Sequence, residues 1–183
     1  LHHGWTNDPN GPFEFKGVHH VFWQSRTDVT GPEFWGHAAG NLSHWHCMPA
    51  AIAPGVDYDG TNTPYDAGGV WTGSVTVVND VPIATYPGEP GDRWCDASPL
   101  NLSDPLLTTW KKSTLNPLGI NGGAGNGGLG TAGGPLGCTG AWKEASGNWT
   151  TTIQTASHGG TCPGGGCPPN TKLRTAFFTS HNF

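Results

Sequence analysis

Glycine and proline interrupt this chain so often that no long regular element can run through it. The 183 residues include 30 Gly and 16 Pro, a quarter of the whole. Glycine loses the most backbone freedom on entering a regular element, and proline lacks the amide hydrogen that a ladder needs. Short strands joined by turns remain as the accessible architecture, so the sequence predicts an all-β chain. No stretch before Pro117 shows a helical period with caps.

Individual strands can be read along the chain. Phe13 to Phe15 and Val18 to Trp23 flank Lys16-Gly17, the spacing of a two-residue hairpin. Phe34 to Leu42 and Val70 to Val78 read as further strands, and Asn79-Asp80, which tolerates positive φ, reverses the chain into Ile83 to Tyr86. Residues 119–137 hold ten Gly in nineteen positions and read as a loose insertion, as do residues 158–170. Between and after them Thr139 to Glu144, Asn148 to Gln154 and Leu173 to Ser180 read as strands. The expectation is one unit over residues 1–183 with two loose segments.

Charge excludes some functions. The formal net charge is −5, and the eight Lys and Arg are scattered, so no basic stripe is available to displace counterions from a nucleic acid. The longest apolar runs, such as Val75 to Val78, fall far short of the ~20 residues that cross a bilayer. No nucleic-acid or membrane partner is expected. The sequence opens on Leu1 without a signal-peptide pattern, which reads as a processed chain or part of a longer one.

The five Cys give no metal signature. Cys162 and Cys167 could close a small disulfide loop, but as a zinc half-site they lack a second pair of ligands. His2-His3, His19-His20 and His44-x-His46 read as packed or solvated residues, and His44 and His46, which share one face of a strand, have no carboxylate partner there. No metal and no cofactor are expected. Three sequons, at Asn41, Asn101 and Asn148, matter only in a secretory compartment.

The strongest local signal is WTNDPNG, from Trp5 to Gly11. Asp8 stands inside a turn-forming run that fixes its carboxylate at the start of a hairpin. Taken alone, such an acid usually caps a loop. Its surroundings change the reading. WTNDPNG, followed after the hairpin by FWQ, resembles the WMNDPNG and FYQ signatures of glycoside hydrolase family 32, the invertases and fructan-active β-fructofuranosidases. WGHAAGNLSHW from Trp35, GGVWTGSVTVVNDVPIATYPG from Gly68 and NLSDPLLTTWKKSTLNP from Asn101 resemble further segments of that family, in the same order. Beyond Pro117 the likeness weakens, although NWTTTIQTAS and LRTAFFTSHNF are similar to two later strands.

The resemblance implies a five-bladed β-propeller, of which this length supplies an incomplete portion of about three blades. It implies a retaining mechanism on sucrose or fructans with Asp8 as nucleophile. Asn7, Gln24, Trp35, Trp71 and Thr72 match positions that line the sugar pocket; a core-aromatic role for Trp35 and Trp71 is the less favoured alternative. It also implies two further carboxylates, one in an Arg-Asp-Pro segment and one in a Glu-Cys pair. If Ala141-Trp142 is matched to the family pattern, the Arg-Asp pair falls on Leu136-Gly137, and no Glu-Cys pair occurs. The chain as given is therefore expected to be inactive alone. The alternative is a non-catalytic carbohydrate-binding relative of the same fold. A secreted glycoprotein, of the cell wall or vacuole, is the implied setting. Substrate preference and oligomeric state stay open.

Overall fold

The computed structural model describes residues 5–90, 93–118, 141–157 and 172–180. Strands dominate, and a single 3-10 turn at Pro64–Asp66 is the only helical piece among the described residues. The first sheet is an antiparallel meander of β1 (Thr6–Phe15), β2 (Val18–Ser25), β3 (Phe34–Gly40) and β4 (Trp45–Ile52), in that order. A short pair, β5 (Gly55–Val56) with β6 (Asn62–Thr63), leads to the second sheet. There β7 (Gly69–Val70) and β8 (Ser74–Val78) both pair with β9 (Val81–Glu89), followed by β10 (Arg93–Pro99) and β11 (Trp110–Lys112). The third sheet is β12 (Ala141–Lys143), β13 (Trp149–Ser157) and β14 (Lys172–Ser180).

The predicted hairpins form at the predicted turns. Lys16 and Gly17 have φ of 50° and 78°, and Asn79 and Asp80 have 49° and 64°, the positive values that two-residue turns between twisted strands require. Two strand readings need correction. The strand expected over Val70 to Val78 is broken into β7 and β8, because Trp71, Thr72 and Gly73 leave regular pairing where Gly73 lies against the Thr85 carbonyl too closely for any Cβ. The strand expected over Phe34 to Leu42 stops at Gly40, where Asn41 Oδ1 accepts the amides of Ser43 and His44 and closes a turn. The two Gly-rich segments at 119–137 and 158–170 lie outside the described residues.

The core lies between the first two sheets. Phe15, Phe22, Trp35, Ile52, Val70, Ala84, Tyr86, Leu107 and Trp110 form one buried cluster drawn from both. At roughly 25 cal/mol per Å2 of apolar area, aromatic side chains of this size dominate such a core. Packing the sheets this way brings the unpaired edge of β1 against the unpaired edge of β8, and the site is built at that seam.

Candidate functional site

The seam depends on the irregularity of β1. Its register with β2 shifts between Thr6 and Pro9 and again between Asn10 and Phe13, because Pro9 and Pro12 have no amide to donate. Gly11, at φ +37°, lies so near β8 that a Cβ there would sit 2.5 Å from the Val75 nitrogen. Asn10 turns inward, is 1% exposed, and accepts the Gly73 amide at 3.2 Å. The Asn-Asp-Pro-Asn-Gly run is thus a joint between two inner strands, and it leaves Asn7 and Asp8 on the exposed side.

Four of the six sequence-predicted site residues meet in one hydrogen-bonded chain. Asn7 Nδ2 donates to Gln24 Oε1 at 3.2 Å, Gln24 Nε2 donates to Thr72 Oγ1 at 2.8 Å, and Thr72 Oγ1 donates to Asp8 Oδ2 at 2.8 Å. The direction is fixed by chemistry. A hydroxyl has one proton to give, and with Gln24 already donating to Thr72 that proton goes to the carboxylate. Gln24 and Thr72 are buried, whereas Asp8 and Asn7 face outward. One carboxylate oxygen is thereby held from below, and Oδ1 has no hydrogen-bond partner among the described residues.

The two predicted tryptophans separate. Trp71 is 42% exposed and stands beside Thr72 on the open side. Trp35 is fully buried in the core and reaches the site only by donating from Nε1 to the Trp71 carbonyl at 2.9 Å. It supports Trp71 from beneath. Asp8 itself is exposed.

Sequence reasoning passed over several neighbours. Arg26 stacks on Trp5 at 4.4 Å, donates to the Val29 carbonyl, and pairs with the buried Glu33 carboxylate. The backbone amide of Arg26 and the Ser25 hydroxyl both donate to the Trp5 carbonyl, so this group anchors the entry of β1. Arg26, Glu33, Trp71 and Glu89 line a shallow groove next to the site.

A charged pair holds the 3-10 turn ahead of β7. Lys112 Nζ lies 2.6 Å from Asp66 Oδ2, with both side chains buried. Lys112 also donates to the Ala53 carbonyl and to Thr63 Oγ1, while Asp66 accepts from Gly55 N, Thr63 Oγ1 and Tyr86 OH. Burial lowers the Lys112 pKa, and the hydrogen bond and charge of Asp66 oppose that shift. Burial also raises Tyr86 and Cys95 well above their ordinary ranges, so both stay protonated. This network ties the loop after β4 to β11 and fixes the approach to Trp71 and Thr72.

Among the described residues no group of three His, Cys, Asp or Glu is placed to hold a metal ion. Cys47 and Cys95 are free thiols. Leu136-Gly137, Cys138, Cys162 and Cys167 lie outside the described residues.

Antiparallel sheets of four and five strands, packed with their inner edges together and carrying a carboxylate at the seam, have the architecture of a portion of a β-propeller. The model of the glycosyl hydrolases family 32 N-terminal domain matches residues 2–158. The chain belongs to glycosyl hydrolase family 32, and it comprises part of that family's N-terminal domain. It is 41% identical over 121 residues to an insoluble isoenzyme of beta-fructofuranosidase from Arabidopsis thaliana, covering 62% of this chain and 20% of the relative. It is 42% identical over 121 residues to the vacuolar acid beta-fructofuranosidase 1 of a Rosa hybrid cultivar, covering 62% and 19%. The chain thus spans about a fifth of the length of these curated relatives.

Among solved structures, the fructan 1-exohydrolase IIa (E201Q) of Cichorium intybus in complex with 1-kestose superposes with a TM-score of 0.73 at 26% identity. The match covers 97% of this chain and 30% of that one. A GH32 beta-fructofuranosidase of Bombyx mori shares the fold, with a TM-score of 0.63 at 22% identity over 98% of this chain and 33% of that one. The three sheets are accordingly a partial portion of the five-bladed propeller, about three blades.

Proposed function

We propose that this chain is the nucleophile-bearing part of a β-fructofuranosidase of invertase type, acting on sucrose or fructans with retention. The observation that carries the reading is the hydrogen-bond chain from Asn7 through Gln24 and Thr72 to Asp8. It holds one carboxylate oxygen and leaves the other open to a sugar. In this reading Asp8 Oδ1 attacks the anomeric carbon of the fructosyl unit, and the bond to the leaving sugar oxygen breaks. That oxygen takes a proton from a general acid. Water then attacks the fructosyl ester, frees fructose and restores the carboxylate. Asn7 and Trp71 meet the sugar, Gln24 and Thr72 orient the nucleophile, and Trp35 holds Trp71 in place. No cofactor takes part.

Two components are missing on the family match, the Asp of the Arg-Asp-Pro segment and the general acid. None of Glu14, Glu33, Glu89 and Glu144 is followed by Cys, and Glu144 is exposed and accepts a bond from Trp142 Nε1. Loss of leaving-group protonation alone costs about 10²–10⁴-fold in rate, so the chain alone does not turn over sucrose. The names of the relatives, one insoluble and one vacuolar, support placement in the cell wall or the vacuole.

A substrate whose leaving group needs no proton separates the catalytic reading from a carbohydrate-binding one. Incubation with β-fructosyl fluoride should leave a fructosyl ester on the peptide containing Asp8, visible by mass spectrometry and absent from Asp8→Asn. Sugar binding without an adduct would instead identify a non-catalytic binding relative, and neither binding nor adduct would end both readings.

A further inference from the structure

The three sequons occupy different structural settings. Asn148 is half-buried at the start of β13, and the hydroxyl-bearing Thr150 of its sequon is 4% exposed. Asn101 is exposed, but its loop is clamped: Leu102 packs against the core and its carbonyl accepts Lys16 Nζ at 2.7 Å. Asn41, Leu42 and Ser43 form the exposed tip between β3 and β4, with Leu42 85% exposed. There Asn41 Oδ1 accepts the Ser43 amide at 3.0 Å, the Ser43 hydroxyl at 3.0 Å and the His44 amide at 2.8 Å. All three bonds fall on the oxygen, so the amide nitrogen Nδ2 has no hydrogen-bond partner among the described residues.

A second observation concerns what lies beside that tip. Among the described residues β4 pairs with β3 alone and forms the outer edge of its sheet. Trp45, His46 and Cys47 are exposed on it, with Trp45 44% exposed. An open edge strand carrying an aromatic and a thiol is a template for pairing with other chains, and natural proteins cover or charge such edges. β4 has no Lys, Arg, Asp or Glu, so side-chain charge does not protect it.

From these two observations we infer that Asn41 is an N-glycosylation site whose glycan shields the β4 edge. In the transfer, Asn41 Nδ2 bonds to the anomeric carbon of a lipid-pyrophosphate-linked oligosaccharide. The carbon–oxygen bond to the pyrophosphate breaks, the lipid pyrophosphate leaves, and the amide gives up one proton to the transferase. The inference rests on the secretory placement within the proposed function, but not on Asp8 being catalytic.

The full chain, fused to a secretion leader and produced in a eukaryotic host, tests it by glycopeptide mass spectrometry. The leader ensures entry to the compartment, so a failure here stays distinct from a failure of the fructosyl-fluoride experiment. Asn41 should be occupied in most molecules and Asn148 in few. Asn41→Gln and Ser43→Ala should each remove one glycan's mass, and Ser43→Thr should keep it. By light scattering, Asn41→Gln should self-associate at a lower concentration than the glycosylated chain. An unmodified Asn41 in secreted protein, or Asn148 occupied as fully as Asn41, would overturn the site. Equal self-association with and without the glycan would overturn its shielding role.

Discussion

Thr72 Oγ1 donates to Asp8 Oδ2 at 2.8 Å across a separation of 64 residues. That bond joins the first two sheets at their inner edges and sets the carboxylate's rotamer. Thr72→Val keeps the shape but removes the proton, and it leaves the buried Gln24 amide without its acceptor. An unsatisfied buried donor costs about 1–3 kcal/mol. The rate at which β-fructosyl fluoride labels Asp8 should fall by roughly tenfold or more by the same arithmetic, and Thr72→Ser should restore most of it. Equal labelling by the Val variant would mean that the hydroxyl does not orient the nucleophile.

The close approach of inner strands gives a second expectation. A Cβ on Gly73 would collide with the Thr85 carbonyl, a backbone atom that cannot swing away. Overpacking of this kind typically costs about 1–3 kcal/mol. Gly73→Ala should therefore lower the urea midpoint and also weaken Asp8 labelling, because Asn10 loses its bond to the displaced Gly73 amide. Gly17→Ala, where the added Cβ meets nothing within 4 Å, should leave the labelling intact and cost only the strain of its φ of +78°.

These two positions show how much of the site could be read from residues alone. Asp8 and Asn7 stand in a run whose turn chemistry is local, and Gln24 and Thr72 came through the family likeness, so the chain of bonds joins residues already singled out. Asn10 was missed, although the same run contains it, because nothing in a sequence says which Asn of a turn faces inward. Trp35 was ambiguous for a similar reason: aromatic residues serve cores and sugar platforms alike. Asp66 and Lys112 gave no signal. One lies in a turn-like TPYDAGG stretch and the other beside Lys111, and burial selects one lysine of the pair through the alternation of β11. The all-β class followed from composition. β4 was not foreseen, since Trp45-His46-Cys47-Met48-Pro49 carries neither clean alternation nor a turn signal before it.

The stacked histidines in the core predict acid sensitivity. His20 Nδ1 and His37 Nε2 lie 3.0 Å apart, and their rings stack between Phe13 and Phe22. Burial, with His20 beside it, lowers the His37 pKa to about 3, and burial lowers that of His20. The folded state therefore keeps both neutral while the unfolded chain takes up protons near its ordinary value of about 6.5. The unfolded state binds more protons throughout this window, so stability rises with pH. It is complete above about 6.5 and is lost progressively as pH falls towards 3, by on the order of a few kcal/mol. His37→Leu should flatten the dependence of the urea midpoint between pH 7 and 5. An unchanged slope would show that other groups carry the acid response.

The buried pair Asp66 and Lys112 supplies the last prediction. Removing one partner leaves a charge stranded among groups arranged to meet its opposite, a loss of about 3–5 kcal/mol in comparable buried pairs. Lys112→Met leaves Asp66 facing the donors Thr63, Tyr86 and Gly55, so some of its charge stays compensated. Asp66→Leu leaves Lys112 with the Ala53 carbonyl, Thr63 Oγ1, the Tyr65 ring at 5.9 Å and the charge of Asp57, but without its ion-pair partner. Asp66→Leu should be the more destabilising of the two in urea unfolding. The double variant should cost less than the sum of the single ones, because neither charge is then stranded. Since the 3-10 turn containing Asp66 leads directly into β7, both single variants should also slow labelling of Asp8 with their stability loss held small by low temperature. Additive costs in the cycle would show that the two side chains do not depend on each other, and the approach to Thr72 would then need a different anchor.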